Sequence, residues 1–320
     1  MLFMVLIKVI TKLKTLGVQT TVKLIKDEIK RPFVSFVHDL RWKKFSRSRE
    51  LGVSSQSYGS ELIVSLTTYP ARIKGIHYVI ESLLMQSMKP NRVILWLADE
   101  QFPNREKDLP ASLIALKEKG LTIDWCEDLR SYKKLIPTLR KFPDAWIITA
   151  DDDIYYNKNM VKVLVGAYKK NPNCIPCHRG TKFVRINDEW KAIPGGYDVY
   201  DHPSFLHKLT GGSGSLYAPG MLYKDITNSE LFMKLAPTND DIWFWFMGVL
   251  NGTRCDILKN GFPALYFIKG SQDTSLCSVN DAGEELFWKQ FKVLLEFYPE
   301  IEKKLINEWE KEKNGSGKIE

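Results

Sequence analysis

Three consecutive carboxylates, Asp151-Asp152-Asp153, follow directly on the apolar run Ala145-Trp-Ile-Ile-Thr-Ala150. Like charges at that density repel and call for a counter-charge. A hard divalent cation supplies one, and Mg2+ commonly bridges one or two carboxylates to substrate phosphates. Alternate residues of an extended segment share a face, so Asp151 and Asp153 are expected to converge on a metal while Asp152 points elsewhere. An acidic turn capping a helix that begins near Asn159 is the plainer reading. A second acidic pair, Asp240-Asp241, opens the aromatic stretch Ile242-Trp-Phe-Trp245. A carboxylate there suits acid/base work, and the indole face of Trp243 suits a sugar ring. Capping is the competing role, with Thr238 or Asn239 as helix cap and both aspartates favoured by the dipole. The two roles are compatible.

Two further segments carry chemistry. Ser131-Tyr-Lys-Lys-Leu-Ile-Pro-Thr-Leu139 sets Lys133 and Lys134 side by side ahead of the same strand. They can meet a diphosphate or form a solvated pair. Thr210-Gly-Gly-Ser-Gly-Ser-Leu-Tyr-Ala-Pro-Gly220 is dense in glycine. Gly211, Gly212 and Ser213 there would let backbone approach a ligand closely and offer N–H donors. Neither a Walker A loop nor a dinucleotide fingerprint matches its spacing, and a plain flexible loop is the alternative.

These segments need elements to position them. Leu62–Leu66, Arg92–Leu97, Leu121–Trp125 and Ala145–Ala150 read as buried strands. Ile76–Gln86, Leu109–Lys119 and Tyr132–Lys141 read as the helices between them. Such alternation predicts an α/β fold with a mostly parallel sheet covered by helices on both faces. In open sheets of this kind ligands bind outside the carboxyl ends of the strands, which is where the aspartate triplet falls. Asn159–Lys170 and Asp240–Asn251 are expected helices, and Glu284–Lys313 one or two terminal ones. Residues 171–220 have mixed texture, rich in Gly, Pro and aromatics.

Charge is unevenly placed. The 320 residues carry 46 Lys/Arg and 38 Asp/Glu, a net of +8. The first 50 residues hold 12 and 4 of these, so the whole excess lies in an N-terminal arm. Leu6, Val9, Ile10, Leu13, Leu16, Val22, Leu24, Ile25 and Ile29 recur near helical spacing among lysines. Phe33, Phe36, Trp42 and Phe45 follow. The arm reads as a packed amphipathic helix or as an attachment to an anionic membrane surface. No run reaches the roughly 18–20 apolar residues that span a bilayer. The electrically balanced body argues against nucleic acid as partner. Residues 48–60 (Ser48 to Ser60) read as a linker. The organisation expected is therefore a basic helical arm over residues 1–50, a catalytic domain over 60–280, and C-terminal helices with a tail over 281–320. Five scattered cysteines, Cys126, Cys174, Cys177, Cys255 and Cys277, suit a reducing compartment. Cys174-Ile-Pro-Cys177-His178 matches the c-type haem attachment pattern and reads as a chance match in a loop.

Taken in order, these motifs resemble bacterial glycosyltransferases of the GT-A fold, family 2-like, over roughly residues 61–280. The resemblance rests on Val64-Ser-Leu-Thr-Thr-Tyr-Pro-Ala-Arg72, Lys134-Leu-Ile-Pro, the Asp151–Asp153 triplet, the 210–220 loop and Asn239-Asp-Asp-Ile-Trp243. The triplet is similar to the family's Asp-x-Asp motif. The resemblance implies that Thr67, Tyr69 and Arg72 border the nucleoside, that Asp124 lies near the base, and that Lys134 and Asp152 lie near the diphosphate. It implies Mn2+ or Mg2+ on Asp151 and Asp153, and a catalytic base at Asp241 or Asp240. It further implies transfer from a nucleotide sugar, UDP-linked by family habit, to a glycan or lipid-linked acceptor in bacterial capsule or lipopolysaccharide synthesis. An inverting outcome and a cytoplasmic location on the inner face of the membrane complete the expectation. The C-terminal histidine that many members use as third metal ligand has no aligned counterpart, since His202 and His207 fall too early. A metal-dependent nucleotidyl- or phosphotransferase is the rival reading.

Overall fold

The computed structural model describes residues 18–193, 202–259, 261–262, 265–271 and 284–316. The chain divides into two units, Met1–Arg49 and Glu50–Glu320. The first contributes helix α1 (Val18–Ser46), with Pro32 inside it and Lys43 and Lys44 in its last turn. Phe33, Phe36 and Leu40 recur three and four residues apart, so they share one helix face. All three are exposed, at 66%, 59% and 53%. The arm's earlier apolar positions Leu6 to Leu16, and Cys277, lie outside the described residues. Among the described residues no helix is long and apolar enough to cross a membrane.

In the second unit the expected strands form with shifts of one residue: β1 (Leu62–Thr67), β2 (Arg92–Ala98), β3 (Leu121–Cys126) and β4 (Trp146–Ala150). β1, β2 and β4 are buried along nearly their whole length, so both faces of the sheet are covered. Helix α2 (Ile76–Leu84) joins β1 to β2 and buries Ile76, Val79, Ile80, Leu83 and Leu84. Two expected helices come out weaker. Leu109–Lys119 becomes a single α-turn, α3 (Ala111–Ile114), running into a 3-10 turn. Tyr132–Lys141 becomes a 3-10 turn (Arg130–Lys134) followed by α4 (Ile136–Lys141). Pro137 explains the second break, since its ring is tolerated only in a helix's first turn.

Beyond β4 come α5 (Met160–Lys170), β5 (Cys174–Cys177), β6 (Gly180–Ile186), β7 (Glu189–Ile193), β8 (His207–Leu209), β9 (Ser215–Tyr217), α6 (Ser229–Leu235), α7 (Asp240–Asn251) and β10 (Arg254–Ile257). Helices α8 (Glu284–Phe297) and α9 (Pro299–Ser316) end the described chain. The seven-stranded sheet runs β10-β5-β9-β4-β1-β2-β3. Every neighbour is parallel except β9, which is antiparallel to β4 and β5. Chain order runs outward from β1 through β2 to β3, then jumps back to β4 on the other side of β1. That reversal opens a crevice beyond the carboxyl ends of β1 and β4. A second sheet, β7-β6-β8, is antiparallel.

Two expectations about boundaries change. Residues 50–60 are not a loose linker. Gly52 N–H donates to Lys119 O at 2.8 Å, Tyr58 Oη donates to Lys89 O at 2.6 Å, and Asn91 Nδ2 donates to Ser54 O and Gln56 O. A Cβ on Gly52 would stand 2.5 Å from the Leu84 side chain, so this close approach needs glycine. The C-terminal helices are likewise fastened to the body. Arg254 pairs with Glu308 at 2.6 Å, and Lys304 Nζ donates to Val249 O and Leu250 O in the last turn of α7, supplying donors that a helix end lacks.

The haem-like pattern resolves plainly. Cys174 and Cys177 are buried in β5, and His178 is enclosed between Met160 O (3.2 Å from Nε2) and the Phe262 N–H (3.3 Å from Nδ1). Cys126, Cys174, Cys177 and Cys255 carry no disulfide.

Candidate active site

The crevice between β1 and β4 is where the acidic residues gather. Strand β4 ends at Ala150, and the chain then bends instead of staying extended. That bend overturns the expected alternation. Asp152 and Asp153 share one cation, Arg72, whose Nη1 ion-pairs with Asp152 and lies 3.3 Å from Asp153 Oδ2. Asp151 turns the other way, to Lys134. Arg72 comes from the turn after β1, and Thr68 of the same turn donates from Oγ1 to Asp152 Oδ2 at 2.6 Å. Burial alone would lower the guanidinium's proton affinity, but Asp152 and Asp153 outweigh it and raise it.

Lys134 is the hub. Its Nζ lies 2.9 Å from Asp151 Oδ1, 2.8 Å from Asp240 Oδ2 and 3.7 Å from Asp241 Oδ1. The side chain is almost wholly buried. Desolvation would strip its proton, yet the three carboxylates hold the ammonium charged well above its ordinary range. Burial pushes the Asp240 carboxyl up, Lys134 pulls it down, and Asp241 pushes it up again, for a net rise. Tyr156 completes the support: its Oη accepts the Asp151 N–H at 2.7 Å, and burial together with the Asp151 charge raises its pKa strongly.

The glycine-rich segment is not a flexible loop. Gly211, Gly212 and Ser213 form a buried 3-10 turn. Gly211 N–H donates to Asp241 Oδ2 at 3.1 Å. A Cβ on Gly211 would stand 2.7 Å from Lys134 Nζ, 3.0 Å from Asp241 Oδ1 and 3.4 Å from Asp151 Oδ1. A side chain there would push the Lys134 ammonium off its carboxylates. Gly212 faces Asp151 from 3.5 Å by the same measure.

The acidic pair starts α7, and the cap is Asn239, whose side chain accepts the Ile242 N–H at 3.1 Å. Asp240 and Asp241 are therefore first-turn residues, favoured by the dipole but free of the capping task. Trp243 corrects an expectation. It is fully buried, its Nε1 donates to Ile226 O at 3.1 Å, and it cannot stack on a sugar. A run of aromatics in a helix marked packing here.

Two of the residues expected around a nucleoside, Thr67 and Asp124, fall in one row with Trp96 between them. Thr67, Trp96 and Asp124 are register partners across β1, β2 and β3. Thr67 Oγ1 donates to Trp96 O at 2.9 Å, and Asp124 Oδ2 pairs with Lys141 at 2.5 Å. Tyr69 faces Arg72, 5.9 Å from ring centroid to guanidinium carbon. Asp124 does not join the acidic cluster. His202 pairs with Glu312 Oε1 at 3.1 Å, and His207 is buried in β8. Thr68 and Tyr156 were missed in the sequence; the proximity of Thr68 to Tyr69-Pro70 was the sole signal.

The site thus holds five carboxylates against two paired cations, Lys134 and Arg72. Among the described residues no three His, Cys, Asp or Glu side chains are grouped to hold a metal by themselves.

No protein-family model and no curated protein matches this chain. Among solved structures it is similar to the mannosyltransferase PcManGT from Pyrobaculum calidifontis in complex with GDP-Man and Mn2+. The identity is 12%, the TM-score 0.48, and the match covers 88% of this chain and 79% of that one. It is also similar to S. aureus TarS 1-349 at 15% identity and a TM-score of 0.43, covering 63% of this chain and 58% of that one. At these scores neither likeness carries an activity across, and the chemistry has to be read from the site.

Proposed function

We propose that this chain is a metal-dependent glycosyltransferase of the GT-A type that moves a hexosyl group from a nucleotide sugar, UDP-linked in preference, to a saccharide or lipid-linked glycan. The observation that carries the reading is the Lys134 hub. One buried ammonium ties the carboxylate after β4 to the acidic pair opening α7, against the Gly211 turn, where a Cβ would crowd Lys134 Nζ at 2.7 Å. A donor-side charge cluster and an acceptor-side base are thereby held within one ion-pair network.

Asp151 and Asp153 are the residues that would hold Mn2+ or Mg2+, the ion replacing the ammonium of Lys134 and the guanidinium of Arg72 that they face in opposite directions here. The donor set fits: carboxylate oxygens suit a hard cation, and Mg2+ sites of this kind take one or two carboxylates with substrate phosphates completing the shell. When bound, the ion supplies Lewis-acid stabilisation of charge developing on the leaving diphosphate. Asp241 is the favoured base. Its Oδ2 is fixed by the Gly211 N–H, while Oδ1 is buried without a hydrogen-bond donor. A buried carboxylate oxygen without a hydrogen-bond donor is costly; its nearest cation, Lys134, stands 3.7 Å away, and an acceptor hydroxyl entering there would satisfy it and pass it its proton. Asp240, raised by burial and committed to Lys134 at 2.8 Å, is the weaker candidate. Direct attack by the acceptor would invert the anomeric centre. Thr67, Tyr69, Arg72 and Asp124 line the proposed nucleoside side.

The arm adds a location. Exposed Phe33, Phe36 and Leu40 on one face, with Arg41, Lys43, Lys44 and Arg47 nearby, suit the interface of an anionic bilayer, consistent with work on the inner face of a bacterial membrane in surface polysaccharide assembly. Replacing all three apolar residues by serine should abolish sedimentation with acidic vesicles.

A panel of nucleotide sugars with Mn2+, scored for slow donor hydrolysis without acceptor, tests the activity. Release of free sugar and nucleoside diphosphate supports glycosyl transfer. Cleavage within the diphosphate would favour a phosphotransferase instead.

A further inference from the structure

Two cations beside the acidic cluster take no part in it. Arg179 immediately precedes β6, and Lys208 lies in β8. The register Gly180↔Leu209 and Thr181↔Lys208 makes them diagonal neighbours on one face of the small sheet. The opposite face carries Lys182, which pairs with Glu312 at 2.7 Å. Arg179 and Lys208 are both half-buried. Among the described residues neither has a carboxylate within ion-pair distance, and Lys208 Nζ donates only a long 3.3 Å bond to Leu209 O. Burial pulls the Lys208 pKa down, while Asp241 and Asp240 push it back, so these groups feel one another's charge. An ammonium and a guanidinium left together with no carboxylate in contact, and only the more distant charges of Asp241 and Asp240 to offset them, are costly to bury unless a ligand supplies an anion directly.

An aromatic ring adjoins them. Lys208 Nζ lies 5.9 Å from the ring centroid of Phe287, a half-buried residue in the first turn of α8. One turn further on, Gln290 clasps Thr238: its Oε1 accepts the Thr238 N–H at 3.2 Å and its Nε2 donates to Thr238 Oγ1 at 2.9 Å. Thr238 precedes the Asn239 cap and the acidic pair. The start of α8 is therefore tied to the start of α7.

We propose that Arg179, Lys208 and Phe287 form an oxyanion subsite beside Asp241, taking the phosphate or carboxylate of a bound saccharide whose ring lies against Phe287. The saccharide half rests on the glycosyl-transfer reading; the oxyanion half does not. The enzyme would then discriminate in favour of charged sugars, as a carboxylate cluster alone would not.

The test uses the full chain and the probes inorganic phosphate, glucuronate, glucose and UDP with Mn2+, with affinities from titrated melting shifts. Phosphate and glucuronate should bind the wild type, and glucose should not. Arg179→Gln and Lys208→Gln should each weaken both anions roughly tenfold, the loss of one charge-assisted hydrogen bond, and Lys208→Arg should restore binding. Phe287→Leu should weaken glucuronate and leave phosphate unchanged. UDP affinity unchanged in the cation variants supports a saccharide oxyanion; a parallel fall in UDP affinity overturns it and places the two cations at the donor diphosphate. Unaltered affinity for every anion in both cation variants overturns the subsite. Phosphate binding that needs Arg179 and Lys208, in a protein that binds no UDP, would leave the subsite standing and remove glycosyl transfer.

Discussion

Lys134 Nζ and Asp240 Oδ2 meet at 2.8 Å, joining the 3-10 turn before α4 to the first residue of α7. Because the same ammonium also holds Asp151, the two acidic segments keep their spacing only while the lysine is charged. Lys134→Met should therefore leave the buried Asp240 and the half-buried Asp151 and Asp241 uncompensated. A loss of about 3–5 kcal/mol in urea unfolding at neutral pH is expected, the usual cost of breaking a buried ion pair from one side. The deficit should shrink in acid, where the carboxylates protonate.

Gly211 and Gly212 differ in what a methyl group would strike. Gly211→Ala places a Cβ 2.7 Å from Lys134 Nζ, an atom pinned by its partners, while Gly212→Ala makes ordinary contact at 3.5 Å with Asp151. Overpacking of the first kind costs about 1–3 kcal/mol. Thermal melts should show a clear drop for Gly211→Ala and almost none for Gly212→Ala. Donor hydrolysis should fall in the same order.

The cap and the base are separable because different residues hold them. Asn239→Ala removes the side chain that accepts the Ile242 N–H, so stability should fall by about 1 kcal/mol with rates nearly kept. Asp241→Asn should do the reverse, slowing transfer by roughly 10²–10⁴-fold while donor binding survives. Near wild-type transfer by Asp241→Asn, with Asp240→Asn dead, would move the base one residue.

Stability should depend on pH through two buried histidines. Burial lowers both His178 and His207 from 6.5 to about 4. His178 is satisfied as the neutral ring, flanked by a carbonyl on one nitrogen and an N–H on the other. Between 4 and 6.5 the unfolded chain binds more protons than the folded one, so stability is full above about 6.5 and declines as pH falls toward 4. The slope is about 1.4 kcal/mol per pH unit for each histidine. Unfolding of His207→Gln across this window should lose about half of that slope.

The strands β1 to β4 were legible in the sequence because each is a short apolar run buried on both faces, and the triplet's place after β4 followed. The strands β5, β8, β9 and β10 were not, since a three- or four-residue strand leaves no period to detect, and the longer β6 and β7 lie in a stretch of mixed texture rich in Gly, Pro and aromatics. The pairing of Arg72 with Asp152 and Asp153 was hidden for another reason: it depends on a bend, and three identical residues carry no sign of one. Trp243 misled because an aromatic looks the same in a core as in a binding cleft. Lys134 was found as a candidate, but its bond to Asp240 joins segments far apart in the chain, and only the fold brings them together.

Metal-dependent nucleotide binding at the acidic cluster is tested most directly by melting the full chain with UDP, in Mn2+ and in chelator. At a free ligand concentration of about 100 times Kd, binding adds about 2.7 kcal/mol to stability. A rise in Tm is expected with Mn2+, none in chelator, and none for Asp153→Ala, whose ligand-free melt should stay close to wild type. An equal rise in chelator, or a full rise in Asp153→Ala, would contradict the assignment.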